Sequence, residues 1–232
     1  MAYTRENGRK LNELRKIEAE VGIIPQATGS ARFKIGNTEA IAAVYGPKEM
    51  FPRFMKDPTK GILRCHYNMM PFSGLGNRVR PGGNRRSKEL SFIMERALSP
   101  VIDLSQYPNS MVEISVEFPQ TDAGSRCAAI CAASMAMADA GLSMKDLVSS
   151  VAAGMYDDTV ILDPDYEEDS YENGVDMPLA MINSTKGITL LQMDGVISKE
   201  KIMECVELSK GACEEIYEIQ KQALKNKFAK QE

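Results

Sequence analysis

The residues best suited to chemistry lie in the segment Gln120–Arg126, which reads Gln-Thr-Asp-Ala-Gly-Ser-Arg. An alternating apolar pattern over Met111–Phe118 predicts a strand before it, and the alanine-rich run Cys127–Ala140 predicts a buried helix after it. The first N–H groups of a helix and its positive dipole favour an anion, and Ser125 and Arg126 add donors suited to phosphate. The segment therefore predicts an anion site, although a tight turn with a helix cap explains the same residues equally well.

Charge is segregated along the chain, although the formal net charge is only −4. Residues 53–96 hold ten basic and three acidic side chains, which favours binding of a polyanion. Residues 156–176 hold nine acidic side chains and no basic one. Such a cluster can supply a proton donor or oxygen ligands for Mg²⁺ or Mn²⁺, whereas blocks of like charge are more often a solvated surface loop. Both interpretations stay open at this point.

A loop over Gly46–Gly61 contains three prolines and is longer than a routine connection, and such loops are usually functional. Phe51, Arg53, Phe54 and Lys56 interleave aromatic and basic side chains at its tip. Aromatic rings stack on the bases of single-stranded nucleic acid and cations follow its backbone, so we predict RNA contact at Arg53. An ordinary loop that packs against a partner subunit is the alternative.

The composition argues against several other classes of protein. The single histidine, His66, gives little support to a Ser-His triad or a zinc site, and histidines in strands are more often packed than catalytic. The five cysteines include no Cys-x-x-Cys pair, so we expect buried, reduced thiols. No apolar run in the sequence is long enough to span a bilayer and the N-terminus has no signal-peptide pattern, which predicts a cytoplasmic protein without a membrane partner.

The candidate residues must be positioned by an alternation of strands and helices. A polar arm, Ala2–Arg15, is predicted to contain a short helical piece over Gly8–Leu14. Ser30–Ile35 and Glu39–Tyr45 flank the turn Gly36-Asn37 and predict a hairpin. Periodicity predicts further strands over Ile62–Met69, Val148–Met155, Thr159–Leu162, Pro178–Ile182 and Ile188–Met193, a basic loop over Ser73–Arg86, and helices over Ser87–Ile102 and from Ser198 to about Lys227.

Three motifs, in this order along the chain, resemble the RNase PH family. They are Arg86-Ser87-Lys88-Glu89-Leu90-Ser91, Gln120–Arg126, and Asp163-Pro164-Asp165-Tyr166-Glu167-Glu168-Asp169 followed by Asp176-Met177-Pro178. Gly46–Met50 and Pro71-Phe72-Ser73 are similar, within that family, to the catalytic RNase PH-like subunit of the archaeal exosome. The resemblance spans nearly the whole chain, and the order of the motifs makes it more specific than any single one.

The resemblance implies an α+β, RNase PH-like fold with duplicated βαβα-type halves, mixed sheets, and helices packed between and around them. The order of the predicted elements agrees, because similar β–α groups occupy Ser30–Ile102 and Met111–Phe228. We therefore expect a single RNase PH-like domain over residues 1–232, with structural halves of about 15–105 and 110–228 and no S1 or KH domain.

The resemblance also implies a 3′-to-5′ phosphorolytic exoribonuclease that uses inorganic phosphate as co-substrate and releases nucleoside diphosphates, with 3′ tailing as the reverse reaction. The residues that match the phosphate-binding positions are Arg86, Gly124, Ser125 and Arg126. Asp169 matches the general acid, Asp169 and Asp176 the ligands of Mg²⁺ or Mn²⁺, and Arg126 is counted with them as catalytic. The two acids are one position further apart than is usual in the family, so Glu168 and Asp165 stay open as substitutes for Asp169.

The predicted RNA contacts come from the basic segment and are Arg53, Arg64, His66, Arg85 and Arg96. The resemblance implies single-stranded RNA as substrate and a hexameric ring shared with an inactive RNase PH-like homologous subunit. Because the sequence shows no S1-like or KH-like segment, cap proteins of the S1 or KH type would be separate chains. Two other functions stay open: a non-catalytic RNA-binding scaffold subunit of such a ring, and a nucleotide-binding regulatory protein that uses the same anion pocket.

Overall fold

The computed structural model describes residues 3–75, 77–80 and 82–229, and five strands of its first part form one sheet. These strands are β1 (Ile17–Val21), β2 (Gly29–Ile35), β3 (Thr38–Glu49), β4 (Ile62–Met69) and β5 (Ser110–Gln120). They lie in the order β1-β2-β3-β5-β4, with β4 and β5 parallel and the other neighbours antiparallel. The sheet is therefore mixed. Tyr67 of β4 pairs with Val116 of β5, and both side chains are buried.

The second sheet is antiparallel and is built from the later part of the chain. Its strands are β6 (Val148–Tyr156), β7 (Thr159–Leu162), β8 (Val175–Ile182) and β9 (Gly187–Leu191). They lie in the order β7-β6-β8-β9, so β6 and β8 are central and are buried along most of their length. Their nearly continuous runs of small and apolar residues suit strands that are covered on both faces.

The described part of the chain also contains four α-helices: α1 (Arg85–Leu98), α2 (Ser125–Asp139), α3 (Tyr166–Asp169) and α4 (Lys199–Ala229). α2 contacts strands of both sheets and is buried on nearly all sides. Its alanines, cysteines and serines allow both sheets to approach it closely, because small side chains keep the layers near each other. α2 thus forms the centre of the core, and its first residue, Ser125, belongs to the polar segment Gln120–Arg126.

The expected α+β class is confirmed, and most predicted elements lie within a few residues of their observed bounds. The sheets do not follow the expected halves of about 15–105 and 110–228, because β5 lies between β3 and β4 of the first sheet. The expectation of a single domain stays a prediction. The predicted helix Ser87–Ile102 begins at Arg85 and ends at Leu98, just before Pro100, whose ring cannot continue it.

The predicted helical piece over Gly8–Leu14 is wrong. The arm forms turns there, with Gly8 N–H bonded to the carbonyl of Arg5 and Glu13 N–H bonded to the carbonyl of Lys10. The predicted loop Gly46–Gly61 is also shorter than expected, because β3 continues to Glu49 across an irregular register. Ala2 of the arm, and Gly76 and Pro81 of the basic loop, lie outside the described residues.

The five cysteines are buried and unpaired, as expected. Burial raises the pKa of each thiol, which keeps it protonated and unreactive near neutral pH. Within the ranges that the structure describes, no helix is both long enough and apolar enough to cross a membrane.

Candidate active site

The segment before α2 is a strained turn that presents the start of the helix. Ala123 and Gly124 both have left-handed backbones, with φ of 53° and 63°. Thr38 holds this turn from both sides: its Oγ1 accepts from Asp122 N–H over 2.8 Å and donates to the Ala123 carbonyl over 2.6 Å. Gly124 is the N-cap residue and has no side chain to accept from the first N–H groups of α2. Those groups are therefore suited to an anion.

A pocket with a cavity volume of about 50 Å³, open to solvent, lies at this end of α2. Its lining includes all six residues predicted for phosphate and for the catalytic carboxylates: Arg86, Gly124, Ser125, Arg126, Asp169 and Asp176. They come from four elements, the first turn of α1, the start of α2, the end of α3 and the second residue of β8. The sequence motifs, far apart along the chain, thus meet in one cavity.

Arg126 lines the pocket, and only some of its N–H groups have hydrogen-bond acceptors there. Its Nη1 donates to Gln192 Oε1 over 2.8 Å. Its buried Nε has no acceptor among the described residues. A buried donor without a partner costs about 1–3 kcal/mol, so an anion that accepts from Nε would recover that cost. This unpaired donor supports the predicted anion site over a simple helix cap.

The two aspartates differ in how firmly they hold a proton. Burial, and then the nearby charge of Asp169, raises the pKa of Asp176 to about 6. Partial desolvation also raises the pKa of Asp169, while Arg86 and Arg126 oppose the rise. Asp169 is exposed at the pocket mouth, so solvent weakens these effects, and Asp176 gives the firmer case for a retained proton. The raised pKa values increase the fraction of the pair that carries a proton in weakly acidic to neutral solution.

The substitutes considered for Asp169 are occupied elsewhere. Glu168 is only 5% exposed and accepts from Arg5 Nε over 2.7 Å and from Arg5 Nη2 over 2.6 Å. Asp165 caps α3 by accepting from Glu168 N–H over 3.1 Å, and it also accepts from the side chain of Asn7. Of the three candidates, Asp165, Glu168 and Asp169, it is Asp169 that lines the pocket.

The N-terminal arm neutralises the acidic segment. Arg5 pairs with Glu168, while Arg15 Nε and Nη2 donate to the two carboxylate oxygens of Asp163 over 2.9 and 2.7 Å. Arg9 lies within 3.6 Å of Asp163. The alternative interpretation of this segment as a solvated surface loop therefore does not hold for its buried residues, because their charges are paired inside the protein.

A divalent metal ion can be tested against this donor set. Among the described residues there is no group of three or more His, Cys, Asp or Glu side chains placed to share a metal. Asp169 and Asp176 offer carboxylate oxygens only, and the negative charge of Asp169 helps to raise the pKa of Asp176. Mg²⁺ usually keeps several waters and binds through one or two carboxylates plus substrate phosphate, so two aspartates fit it without a third ligand.

The predicted RNA contacts lie outside this pocket. Arg53 is exposed beside Phe54, which is 86% exposed. Arg64 of β4 reaches the sulfur of Met55, and His66 Nε2 lies 2.9 Å from Glu113 Oε1. Arg85 is exposed in the first turn of α1, and Arg96 stacks over the exposed ring of Phe92 at 5.0 Å. RNA contact at all five stays a prediction.

Several site residues have no motif in the sequence. Gln192 orients Arg126, and Tyr67 donates to Ser125 Oγ over 2.8 Å. Arg15 and Asp122 brace the turn, because Arg15 Nη1 donates to the Asp122 carbonyl. These partners are at least 58 residues apart along the chain, so no local pattern predicts them. Asp122 lies within the motif Gln120–Arg126, but an aspartate at that position does not by itself indicate a role.

Comparisons with known proteins extend over nearly the whole chain. Models of a 3′ exoribonuclease family of the RNase PH type match residues 13–143 as domain 1 and residues 146–212 as domain 2. Exosome complex component Rrp41 of Methanopyrus kandleri is 45% identical over 224 residues, which are 97% of this chain and 93% of that protein. The protein of the same name from Thermococcus kodakarensis is 44% identical over 226 residues, 97% and 90% of the two chains. The crystal structure of rice (Oryza sativa) Rrp46 has a TM-score of 0.85 at 26% identity and covers 95% of this chain and 100% of that one.

Proposed function

The chain belongs to the RNase PH family of 3′ exoribonucleases, and from that premise we propose that it is the catalytic RNase PH-like subunit of an archaeal exosome. The expected RNase PH-like fold is thereby confirmed. The proposed reaction is the attack of inorganic phosphate on the 3′-terminal phosphodiester of RNA. It releases a nucleoside diphosphate and leaves a chain that is one nucleotide shorter. Phosphorolysis breaks a phosphodiester bond and forms the phosphoanhydride bond of the nucleoside diphosphate, and the two bonds are close enough in free energy for the reverse reaction to add nucleotides to the 3′ end.

One observation carries this proposal: two arginines, an uncapped helix start and two carboxylates with raised pKa line a single pocket. Phosphate and the RNA phosphodiester are both anionic, so their approach requires cations and backbone donors that offset the repulsion. Arg86 and Arg126 supply the charge, and Ser125 supplies a hydroxyl donor. A purely structural turn would not need an arginine with a buried, unpaired Nε.

A second cavity extends from the first and suits the RNA end. It shares Arg86, Ser125 and Asp169 with the phosphate pocket, and its cavity volume is about 320 Å³. Met69, Leu75 and Val79 give it an apolar side, which suits a base and ribose rather than a second free anion. In this arrangement the scissile phosphate would lie at the shared residues.

The proposed steps balance without a covalent enzyme intermediate. A phosphate oxygen forms a bond to the terminal phosphorus as the bond from that phosphorus to the 3′ oxygen breaks. Asp169, in its protonated form, donates its proton to the departing 3′ oxygen, and the raised pKa values of Asp169 and Asp176 increase the fraction of the pair that carries this proton. The arginines and the start of α2 hold both phosphates in line, which lowers the entropic part of the barrier. A divalent metal ion, if bound by the ionised forms of Asp169 and Asp176, would replace this proton and neutralise charge on the departing oxygen and the phosphates.

The assembled form is also a proposal. The relatives named exosome complex components suggest a ring of RNase PH-like subunits, in which this chain alternates with an inactive homologue and separate S1 or KH proteins form the cap. The scaffold alternative would need no phosphate pocket with paired carboxylates, and the regulatory alternative would need no proton donor. Both are less well supported by the lining residues of the pocket.

A labelled RNA tests the function directly. The chain, alone and assembled with the second RNase PH-like subunit of its source, is incubated with an oligoribonucleotide labelled at its 3′ end. The expected result is nucleoside diphosphate that appears only when phosphate is present and that is abolished by Asp169→Asn and by Arg126→Ala. Release of monophosphate without added phosphate would indicate hydrolysis instead. RNA binding without any product from the assembled ring would favour the scaffold alternative.

A further inference from the structure

Asp122 links two elements whose pocket residues the proposed reaction must align. It directly precedes the strained turn of Ala123 and Gly124 that starts α2. Its Oδ1 accepts a hydrogen bond from the backbone N–H of Tyr166 over 3.0 Å. Tyr166 is the first residue of α3 and Asp169 is the last. One side chain therefore joins the phosphate-binding turn to the element that carries the proposed acid.

α3 cannot fix the position of Asp169 by itself. A helix of four residues is a single turn, and isolated turns of this length are not stable in water. Asp165 and Glu168 form a capping box within α3, and Arg5 anchors Glu168 to the N-terminal arm. These contacts hold α3 together and fix it to the arm. The hydrogen bond from Tyr166 N–H to Asp122, in contrast, fixes α3 to the phosphate-binding turn.

Asp122 is itself held rigidly. Its Oδ2 accepts from Asn37 Nδ2 over 3.0 Å at the tip of the β2–β3 hairpin. Arg15 Nη1 donates to the Asp122 carbonyl and lies 3.9 Å from Oδ2. Because Arg15 also makes a two-oxygen contact with Asp163, it adds a second connection between the turn and the acidic segment. The Asp122 side chain thus connects a firmly placed hairpin, the turn and α3.

We propose that Asp122 is a positioning residue, which holds Asp169 at a fixed distance from the bound phosphate. The proposal rests on the proposed phosphorolytic function. A proton donor must lie within hydrogen-bond reach of the departing oxygen, and a misplacement of roughly 1 Å can cost about 100-fold in rate. Asp122 is not among the residues that line the phosphate pocket, so it acts through Tyr166 rather than on the substrate.

Three variants of the assembled ring separate positioning from general destabilisation. Asp122→Ala removes the acceptor for Tyr166 N–H, whereas Asp122→Asn keeps a carbonyl oxygen there. Asp139→Ala is the matched control: Asp139 ends α2 at its far end, and its buried carboxylate pairs with Lys227 and accepts from Ser30 N–H over 3.0 Å. It removes the same kind of side chain, at the opposite end of α2 from Asp122, without touching the pocket.

The first readout is the split between kcat and the KM for phosphate. We expect Asp122→Ala to lower kcat about 10- to 100-fold and to change the KM for phosphate less than about threefold, because Arg86 and Arg126 are untouched. Asp122→Asn should recover most of kcat, and Asp139→Ala should leave kcat unchanged at a comparable loss of thermal stability. An equal fall in kcat for Asp139→Ala, or an unchanged kcat for Asp122→Ala, would overturn the proposal.

The second readout does not depend on activity. Hydrogen exchange of the peptide that covers residues 164–169 reports whether Tyr166 N–H is protected. Faster exchange in Asp122→Ala, but not in Asp139→Ala, supports the link, and unchanged exchange in Asp122→Ala overturns it. If the unsubstituted ring releases no nucleoside diphosphate, the proposed function is wrong, and hydrogen exchange still decides whether Asp122 holds α3.

Discussion

Tyr67 donates its phenolic hydrogen to Ser125 Oγ over 2.8 Å beneath the start of α2, and both side chains are buried. Because the serine oxygen already accepts a hydrogen bond, its own hydrogen is left to donate toward the phosphate pocket. Burial raises the pKa of Tyr67, so the phenol keeps this donor at neutral pH. The pair therefore sets the direction in which Ser125 donates.

Tyr67→Phe is expected to weaken phosphate binding selectively. Loss of this hydrogen bond frees the Ser125 hydroxyl to rotate, and one such bond contributes about 1 kcal/mol, so the KM for phosphate should rise about fivefold with little change in kcat. Initial rates over a series of phosphate concentrations measure both. Tyr107→Phe is the control, because that phenol accepts from Ser143 N–H outside the pocket. Equal KM values for the two variants would contradict the role of Tyr67.

Arg126→Lys is expected to raise the KM for phosphate at least about tenfold. The ammonium keeps the charge but loses the planar fork, so its single nitrogen cannot replace both Nη1, which donates to Gln192, and the buried Nε, which can donate to the anion. Rates against phosphate concentration measure the change. Arg32→Lys makes the same substitution on β2, where Arg32 pairs with Glu18, Glu20 and Glu39, and should leave the KM unchanged. A normal KM for Arg126→Lys would place the anion elsewhere.

Asp169→Asn is expected to lower kcat by about 10²- to 10⁴-fold, the range for loss of a general acid. Binding of phosphate should persist, because the cations and the start of α2 remain. Protection from thermal unfolding by phosphate tests binding, and diphosphate release tests turnover. Glu167→Gln removes the charge of an exposed neighbour in α3 and serves as control. If that variant lost as much activity, the loss would come from charge in α3 rather than from Asp169.

Asp176→Asn is expected to change how stability depends on pH. The folded pKa of Asp176, about 6, lies above its ordinary value of 3.8. The folded state therefore binds the proton more tightly than the unfolded chain, and this carboxyl lowers stability as pH rises from about 4 to about 6. The free energy of unfolding of the variant should exceed that of the unsubstituted protein by about 1–3 kcal/mol at about pH 7.5, and by little at about pH 4. Urea unfolding without divalent metal measures this, and a gain independent of pH would contradict it.

Arg53→Ala is expected to weaken RNA binding by the assembled ring and to reduce its salt dependence. If Arg53 contacts a phosphate, the slope of log affinity against log salt should fall by about one. Binding of a fluorescent oligoribonucleotide at several salt concentrations gives the slope. Lys16→Ala removes an exposed charge that pairs with Glu18, and it should leave the slope unchanged. A flat salt response in the unsubstituted ring would count against the whole basic segment as an RNA surface.

Elements with a clear apolar period could be predicted from the sequence, because their own residues determine which face is buried. The strand Ile62–Met69 and the strand Thr159–Leu162 have the predicted bounds. β1 was not predicted, since an edge strand with half-exposed side chains leaves no alternating signal. The helical prediction for the arm failed because the partners that hold Arg5 and Arg9 in place lie more than 150 residues away along the chain.

The same distinction applies to the candidate site. Gly124, Ser125 and Arg126 are consecutive, and a strand before them and a helix after them indicate an anion site locally. The role of Tyr67 depends on its pairing with a residue of α2, and that of Gln192 depends on where the chain after β9 passes Arg126. Such contacts follow from the tertiary packing of distant segments, which a single sequence does not specify.

Arg5 and Glu168 are 163 positions apart, which has a consequence for the order of assembly during synthesis. The arm leaves the ribosome first, and its arginines find their acidic partners only after residue 168 has been added. The contact that anchors α3 to the arm can therefore form only after more than two thirds of the chain has been made.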